Sequence, residues 1–286
     1  MIFGLIAAVG WGLTDFFAAT AGRRVGSIAT VVLGQTMSWT FITTVLLISG
    51  TSLQPLHAIV WLILLNGAFT ASSYFTHFRA LELGPVAVVS PIGAAYAVVG
   101  VALTIIFIHE HPSALELVGA AVTITGVMLV STDIRALRAG IRGHAPGLPW
   151  ALASMVGFGV AAFLLASASR HAGWVAAMWG SRMAQLICYL PLVLLRPAEL
   201  RRYRGAGGAA IALAMAAGFA DILGVAVFSY GTQKGSVSLV LAASAVFPLI
   251  AVALSYIYLK ERLVPNQYAG IVVVVTGLVL LGLSSS

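Results

Sequence analysis

Residues 84–112 read GPVAVVSPIGAAYAVVGVALTIIFIHEHP, and residues 235–263 read GSVSLVLAASAVFPLIAVALSYIYLKERL. Each is an almost unbroken apolar run that opens on a glycine and closes on a glutamate. Laid in register, they share Gly84 with Gly235, Val86 with Val237, Val89 with Val240 and Ala94 with Ala245. The match runs on without a gap through Ala102/Ala253, Leu103/Leu254, Ile106/Ile257, Glu110/Glu261, Gly119/Gly270, Thr125/Thr276 and Gly126/Gly277. Apolar identities arise easily from such a composition, whereas glycines and a glutamate in register do not. Near the start of each half, Gly10-Trp11-Gly12 pairs with Gly157-Phe158-Gly159. The chain is an internal duplication.

Working outward, the same kind of run recurs along all 286 residues, of which 60% are hydrophobic and only 8% charged. Soluble chains average about 25% charged residues, and the mean hydropathy here is +1.05, so water is not the solvent of this protein. Spanning a hydrocarbon core of about 30 Å takes roughly 20 apolar residues per helix. The runs predict spans over 2–21, 27–49, 57–78, 84–108, 113–132, 149–169, 174–195, 207–230, 235–259 and 264–283. Continuous runs of this length exclude β-barrel strands, which alternate and are about 10 residues long. The fold class is therefore all-α integral membrane protein. Residues 1–132 form the first five-helix repeat, 133–148 a linker rich in Arg and Pro, and 149–286 the second repeat. Five is odd, so the second copy enters the membrane the other way round, an arrangement recurrent in secondary transporters. Met1 to Ala21 has no basic n-region or convincing cleavage site and carries Trp11 and Asp15, so it reads as a retained first helix.

The net charge of +7 is spread as single arginines between the runs. That pattern signals topology rather than a nucleic-acid face, and nucleic acid is not an expected partner. Arg23, Arg24, Arg79, Arg135, Arg138, Arg142, Arg196, Arg201, Arg202, Arg204, Lys260 and Arg262 follow odd-numbered spans; only Arg170 and Lys234 follow even ones. Positive-inside bias then puts both termini on the periplasmic side of the cell inner membrane. The lone Cys188 offers no disulfide or thiolate metal site within one chain, and no metal is expected.

The stretch Pro248 through Leu259-Lys260-Glu261-Arg262-Leu263, followed by Gly270 and Gly277, resembles the EamA type of the drug/metabolite transporter superfamily, as does Trp11-Gly12 in the first span. The first half is looser: Ala97 stands where the family's proline would pair with Pro248, and Pro91 lies six residues earlier. The resemblance covers nearly the whole chain. It implies a ten-helix transporter of small metabolites, similar to the aromatic amino-acid exporter type.

Ionisable groups inside membrane spans are costly, about 2.5–3.5 kcal/mol at a helix centre on insertion scales, and mark candidate sites. Here they are Asp15, His77, Arg182 and Asp221. Arg182 shares a helical face with Met178, Gln185 and Tyr189; it reads either as a ligand for carboxylate or as a permanent partner of Asp15 or Asp221. Asp15 lies one turn from Trp11, a pair suited to hold an amine by charge and cation–π attraction, or else an aspartate snorkelling near Gly22. His77, one turn from Tyr74, is placed at the end of span 3. Gln35, Trp39, Tyr96, Trp179, Tyr230 and Phe247 are candidate walls. Pro91 and Pro248 inside spans 4 and 9 predict kinks or breaks. Glu110 and Glu261 read as structural ion-pair partners at matched helix ends. The heptad glycines predict that spans 5 and 10 pack together or join two protomers in a homodimer.

One buried cation, two buried carboxylates and several aromatics suit a zwitterion with an apolar side chain. The expected function is amino-acid export by alternating access. No Gly-rich Lys-Ser/Thr phosphate motif is present, so neither ATP nor a cofactor is expected. Efflux of cationic drugs and flipping of a lipid carrier are the alternatives; no metalloprotease or triad motif points to an enzyme.

Overall fold

The computed structural model describes residues 1–84, 86–131, 146–195, 207–258 and 265–284. Most of the linker, the Arg196–Arg204 segment and Lys260-Glu261-Arg262 lie outside them, so the part assigned to Glu261 is not described.

In hydrocarbon every backbone N–H and C=O must find its partner within the segment, so apolar runs become helices. The described helices are α1 (Ile2–Val25), α2 (Ser27–Ser49), α3 (Val60–Leu83), α4 (Val86–Ala94), α5 (Tyr96–Leu103), α6 (Ala114–Ser131), α7 (Leu148–Ala172), α8 (Trp174–Leu195), α9 (Gly208–Lys234), α10 (Val237–Ser244), α11 (Phe247–Tyr258) and α12 (Pro265–Ser284). Among the described residues there is no strand. Among the described residues seven helices are long and apolar enough to cross a membrane unaided. The remaining spans are the shorter α6 and two broken helices, α4 with α5 and α10 with α11, which completes ten.

The starts and stops have local causes. Ser113 and Glu116 form a reciprocal capping box at the head of α6, with Glu116 N–H donating to Ser113 Oγ at 3.2 Å and Ser113 N–H to Glu116 Oε2 at 2.6 Å. Gly26 at φ 86° turns the chain between α1 and α2, and Gly173 at φ 80° does so between α7 and α8. These two positions correspond in the repeat, and both use backbone that L side chains rarely adopt.

Spans 4 and 9 are interrupted, in keeping with the kinks or breaks expected from Pro91 and Pro248, but neither break falls on a proline. One falls at Ala95 and the other at Ala245 and Val246, neighbouring positions in the repeat register. In the second copy Pro248 has no N–H to give the Ser244 carbonyl, and Leu249 N–H bonds back to Val246 O at 3.0 Å instead. In the first copy Pro91 lies inside α4, upstream of the break, and Ala95 N–H turns to Ile92 O at 3.2 Å.

Packing follows the duplication. The broadest contacts are α6 on α12, α1 on α9 and α3 on α7. The last two are the same contact seen from each repeat, as are α2 on α9 and α8 on α3. The copies thus interlock as two-fold counterparts. Small residues allow it: a Cβ on Gly218 would sit 1.9 Å from Gly34 O, and one on Gly126 2.5 Å from Val274 N. The close approach that the heptad glycines permit is made within one chain, between α6 and α12.

Candidate functional site

A cavity lies where the two repeats meet, lined from both. α1 contributes Trp11, Thr14 and Asp15; α3 contributes Asn66, Thr70, Tyr74, His77 and Phe78. Spacings of three, four and seven put each set on one helical face. From the second repeat come Phe158, Ala161, Ala162 and Leu165 on α7, Met178, Ser181 and Arg182 on α8, and Asp221, Val225 and Phe228 on α9. The break regions add Gly93, Tyr96 and Phe247. Tyr96 Oη and Ser244 Oγ meet at 2.5 Å and tie the two breaks together across the interface.

Two polar clusters stand in this wall. In the first, Arg182 Nη2 donates to Asp221 Oδ2 at 2.7 Å, while Nη1 donates to Gln35 Oε1 at 2.7 Å and Gln185 Oε1 at 2.8 Å. The Tyr74 hydroxyl donates to the other Asp221 oxygen, and the guanidinium lies 5.4 Å from the Tyr74 ring centroid. Gln185 Nε2 donates to Tyr189 Oη, which donates on to Ala71 O. Each group in the chain holds the next in one orientation. In the second cluster, His77 Nε2 meets Asp15 Oδ1 at 2.9 Å and Ser90 Oγ donates to Asp15 Oδ2.

Exposure decides between readings that the sequence left open. Asp15, His77 and Arg182 are each 3% exposed and Asp221 is 0% exposed. Asp15 is therefore not an interfacial residue snorkelling to water. His77 does not end its span, because α3 continues to Leu83 and carries the imidazole inward. Arg182 is paired with Asp221, as one of its readings had it, and its side chain also lines the cavity.

The apolar part is an aromatic cage around Trp11. Its ring centroid lies 5.5 Å from Phe228, 6.0 Å from Tyr96 and 6.4 Å from Phe247, the last two edge-on. Such arrangements suit ring quadrupoles.

With this geometry in place, comparison with known proteins is decisive for the family. The model of the EamA-like transporter family matches residues 1–132 and 145–283. The chain belongs to the EamA-like transporter family. A solved crystal structure of a protein superposes with a TM-score of 0.74 at 18% identity, covering 99% of this chain and 96% of the other. At that identity the likeness shows the fold alone. A protein of Methanocaldococcus jannaschii described as uncharacterized is 39% identical over 64 residues, 22% of this chain. This chain spans about half the length of that curated relative, 47%.

This member of the EamA-like transporter family is therefore a multi-pass membrane protein. Of its expected contact residues, Trp11, Asp15, Tyr74, His77, Tyr96, Arg182, Asp221 and Phe247 line the cavity. Gln35 and Gln185 stand behind Arg182 and orient it. Trp179 lies elsewhere, its indole donating to Thr43 Oγ1 at 3.1 Å. Trp39 also lies outside the lining; its Nε1 is buried without a hydrogen-bond partner among the described residues. Tyr230 lies outside the lining, against Phe3 and Trp174. Sequence reasoning missed Asn66, Thr70, Ser181, Phe158 and Phe228 as lining residues. The repeat register held the signal for two of them, since Phe158 is the counterpart of Trp11 and Phe228 that of His77. Ser181 has a buried hydroxyl without a protein partner among the described residues, beside Arg182. Among the described residues no group of three His, Cys, Asp or Glu side chains could hold a metal ion.

Proposed function

We propose that this protein exports a zwitterionic amino acid with an apolar, preferentially aromatic side chain. One observation carries the reading: a guanidinium, two carboxylates and an aromatic cage line a single cavity between two repeats. Three N–H groups of Arg182 are engaged by Gln35, Gln185 and Asp221. A guanidinium carries five, so donor capacity remains for a substrate carboxylate, with the Ser181 hydroxyl alongside. Asp15, set one turn from Trp11, takes the ammonium group in exchange for its bond from His77. Trp11, Tyr96, Phe228 and Phe247 enclose the side chain.

The duplicated, interlocked architecture supports alternating access, in which the same cavity opens to each face in turn. The Lys and Arg distribution supports an inner-membrane orientation with both termini periplasmic, and the proposed direction of transport is outward. A second reading is supported by the excess of carboxylates over guanidinium in the cavity: efflux of a cationic metabolite. Under that reading Asp15→Asn abolishes transport and Arg182 is dispensable.

Counterflow of labelled phenylalanine, tyrosine, tryptophan and leucine into liposomes holding the purified protein tests the proposal. Exchange that Arg182→Ala removes is the expected result. Movement of a cationic dye or nucleotide sugar, with no amino acid moved, overturns it.

A further inference from the structure

Away from the cavity, a further cluster of charges gathers helix ends at one face of the bundle. Glu110 Oε1 accepts from Arg170 Nη2 at 2.9 Å and from Val237 N–H at 3.0 Å. Its Oε2 accepts from Ser238 N–H at 3.1 Å and Ser238 Oγ at 3.0 Å. Arg170 spends its other donors on the end of α9, Nε to Thr232 O at 3.1 Å and Nη2 to Gly235 O at 3.0 Å. A carboxylate thus stands on the N-terminus of α10 and a guanidinium on the C-terminus of α9, the sign that each helix end favours. Burial works to raise the pKa of Glu110, but the bonds from Val237 and Ser238 and the charge of Arg170 outweigh it and hold the carboxyl below its ordinary value. The chain reaches this place by a π-helical turn at Thr104–Ile108 and a left-handed His109 at φ 55°. Such backbone is uncommon for a non-glycine residue and marks a position that its surroundings dictate.

The position of this clasp matters. It fastens the loop after α5 to the ends of α7 and α9 and to α10, the outer half of a broken helix. The break that ends α10 is bonded to Tyr96 at the cavity wall. The clasp side chains are partly exposed, 32% for Arg170 and 16% for Glu110. The Arg182–Asp221 pair is sealed at 4% and 1%. A partly solvated pair opens at little cost, because water takes over its bonds, whereas a sealed pair leaves uncompensated charge when it opens. In the repeat register Arg23 is the counterpart of Arg170, as Gly26 is of Gly173. It ends an odd-numbered span, so it lies at the opposite face, and there it is exposed.

We infer that the Glu110–Arg170 clasp is the gate of its face of the membrane: closed, it fastens α10 to α7 and α9 and shuts that face, and it parts when the cavity opens there. The inference rests on the transporter reading but on no particular substrate. A staple that merely stabilises the fold is the competing role, and it does not change which face admits solvent.

The test needs no substrate. In a Cys188→Ser background, Ser181→Cys places a thiol in the cavity wall. Its rate of labelling by a membrane-impermeant maleimide is measured from each side, in right-side-out and inside-out vesicles. Glu110→Gln is expected to raise labelling from the clasp face about three- to tenfold and to lower it from the other face. Arg170→Gln leaves the bonds from Glu110 to α10 in place and carries the same expectation, which keeps the test open should Glu110→Gln fail to accumulate. A lowered melting temperature with unchanged labelling from the clasp face overturns the gate in favour of the staple. Absence of amino-acid counterflow by the unsubstituted protein, with the labelling shift intact in the variants, would instead strike the substrate reading alone.

Discussion

Under the proposed function Arg182 serves two roles that separate when it is truncated. It balances Asp221 inside the bundle and it presents donors to the cavity, so Arg182→Ala is expected to remove binding and also to leave a buried carboxylate unpaired. The second effect costs about 3–5 kcal/mol and should appear as a lowered melting temperature in detergent. Replacing both members, as Arg182→Leu with Asp221→Asn, removes the unpaired charge; most of the lost stability should return while binding does not. A single variant that melts like the parent would show that the pair contributes nothing to the fold. At this scale the sequence was informative about identity and poor about partnership. Rare charges in apolar runs announced Asp15, His77, Arg182 and Asp221, because a lone charge in hydrocarbon needs a reason. Nothing in the order of residues told which of them pair, since Arg182 and Asp221 meet only after three helices have packed.

Element-level features divide in the same way. The heptad glycines of span 5 and span 10 foretold a close crossing, and the structure puts it between α6 and α12. Gly126→Val should force these helices apart, because its Cβ would lie 2.5 Å from a backbone nitrogen, at a cost of about 1–3 kcal/mol for overpacking. Gly207→Ala, where nothing lies within 4 Å, serves as the control and should melt like the parent. The helix break at Ala95 was not legible locally. Pro91, which suggested a kink or a break, and Gly93 both sit inside α4 rather than at Ala95. The break shows only when the first copy is read through the second, where Pro248 removes a donor just past the corresponding position. Spans are therefore easy to find from composition, while interruptions depend on a few backbone bonds that composition does not record.

For the whole molecule, the Lys and Arg asymmetry remains to be turned into an orientation. A reporter fused after Ser286 is expected to behave as periplasmic and one placed between Arg135 and His144 as cytoplasmic; the reverse result would invert the molecule in the membrane and leave the ten spans as they are. The duplication was legible because glycines and glutamates stay in register over long stretches, and the interlocked packing follows from it. The chemistry departs from that symmetry in the cavity, at its guanidinium and both carboxylates among other positions. Arg182 corresponds to Gln35, Asp221 to Thr70 and Asp15 to Ala162. Two identical halves would receive a dipolar guest equally well head-first or tail-first, since every attraction at one end would be duplicated at the other. Joining the halves in one chain lets each diverge alone, so the cavity acquires a positive pole without a second arginine facing it. Under the proposed function a guest with a charged head then lies in the cavity only one way round, and it leaves in the attitude in which it entered.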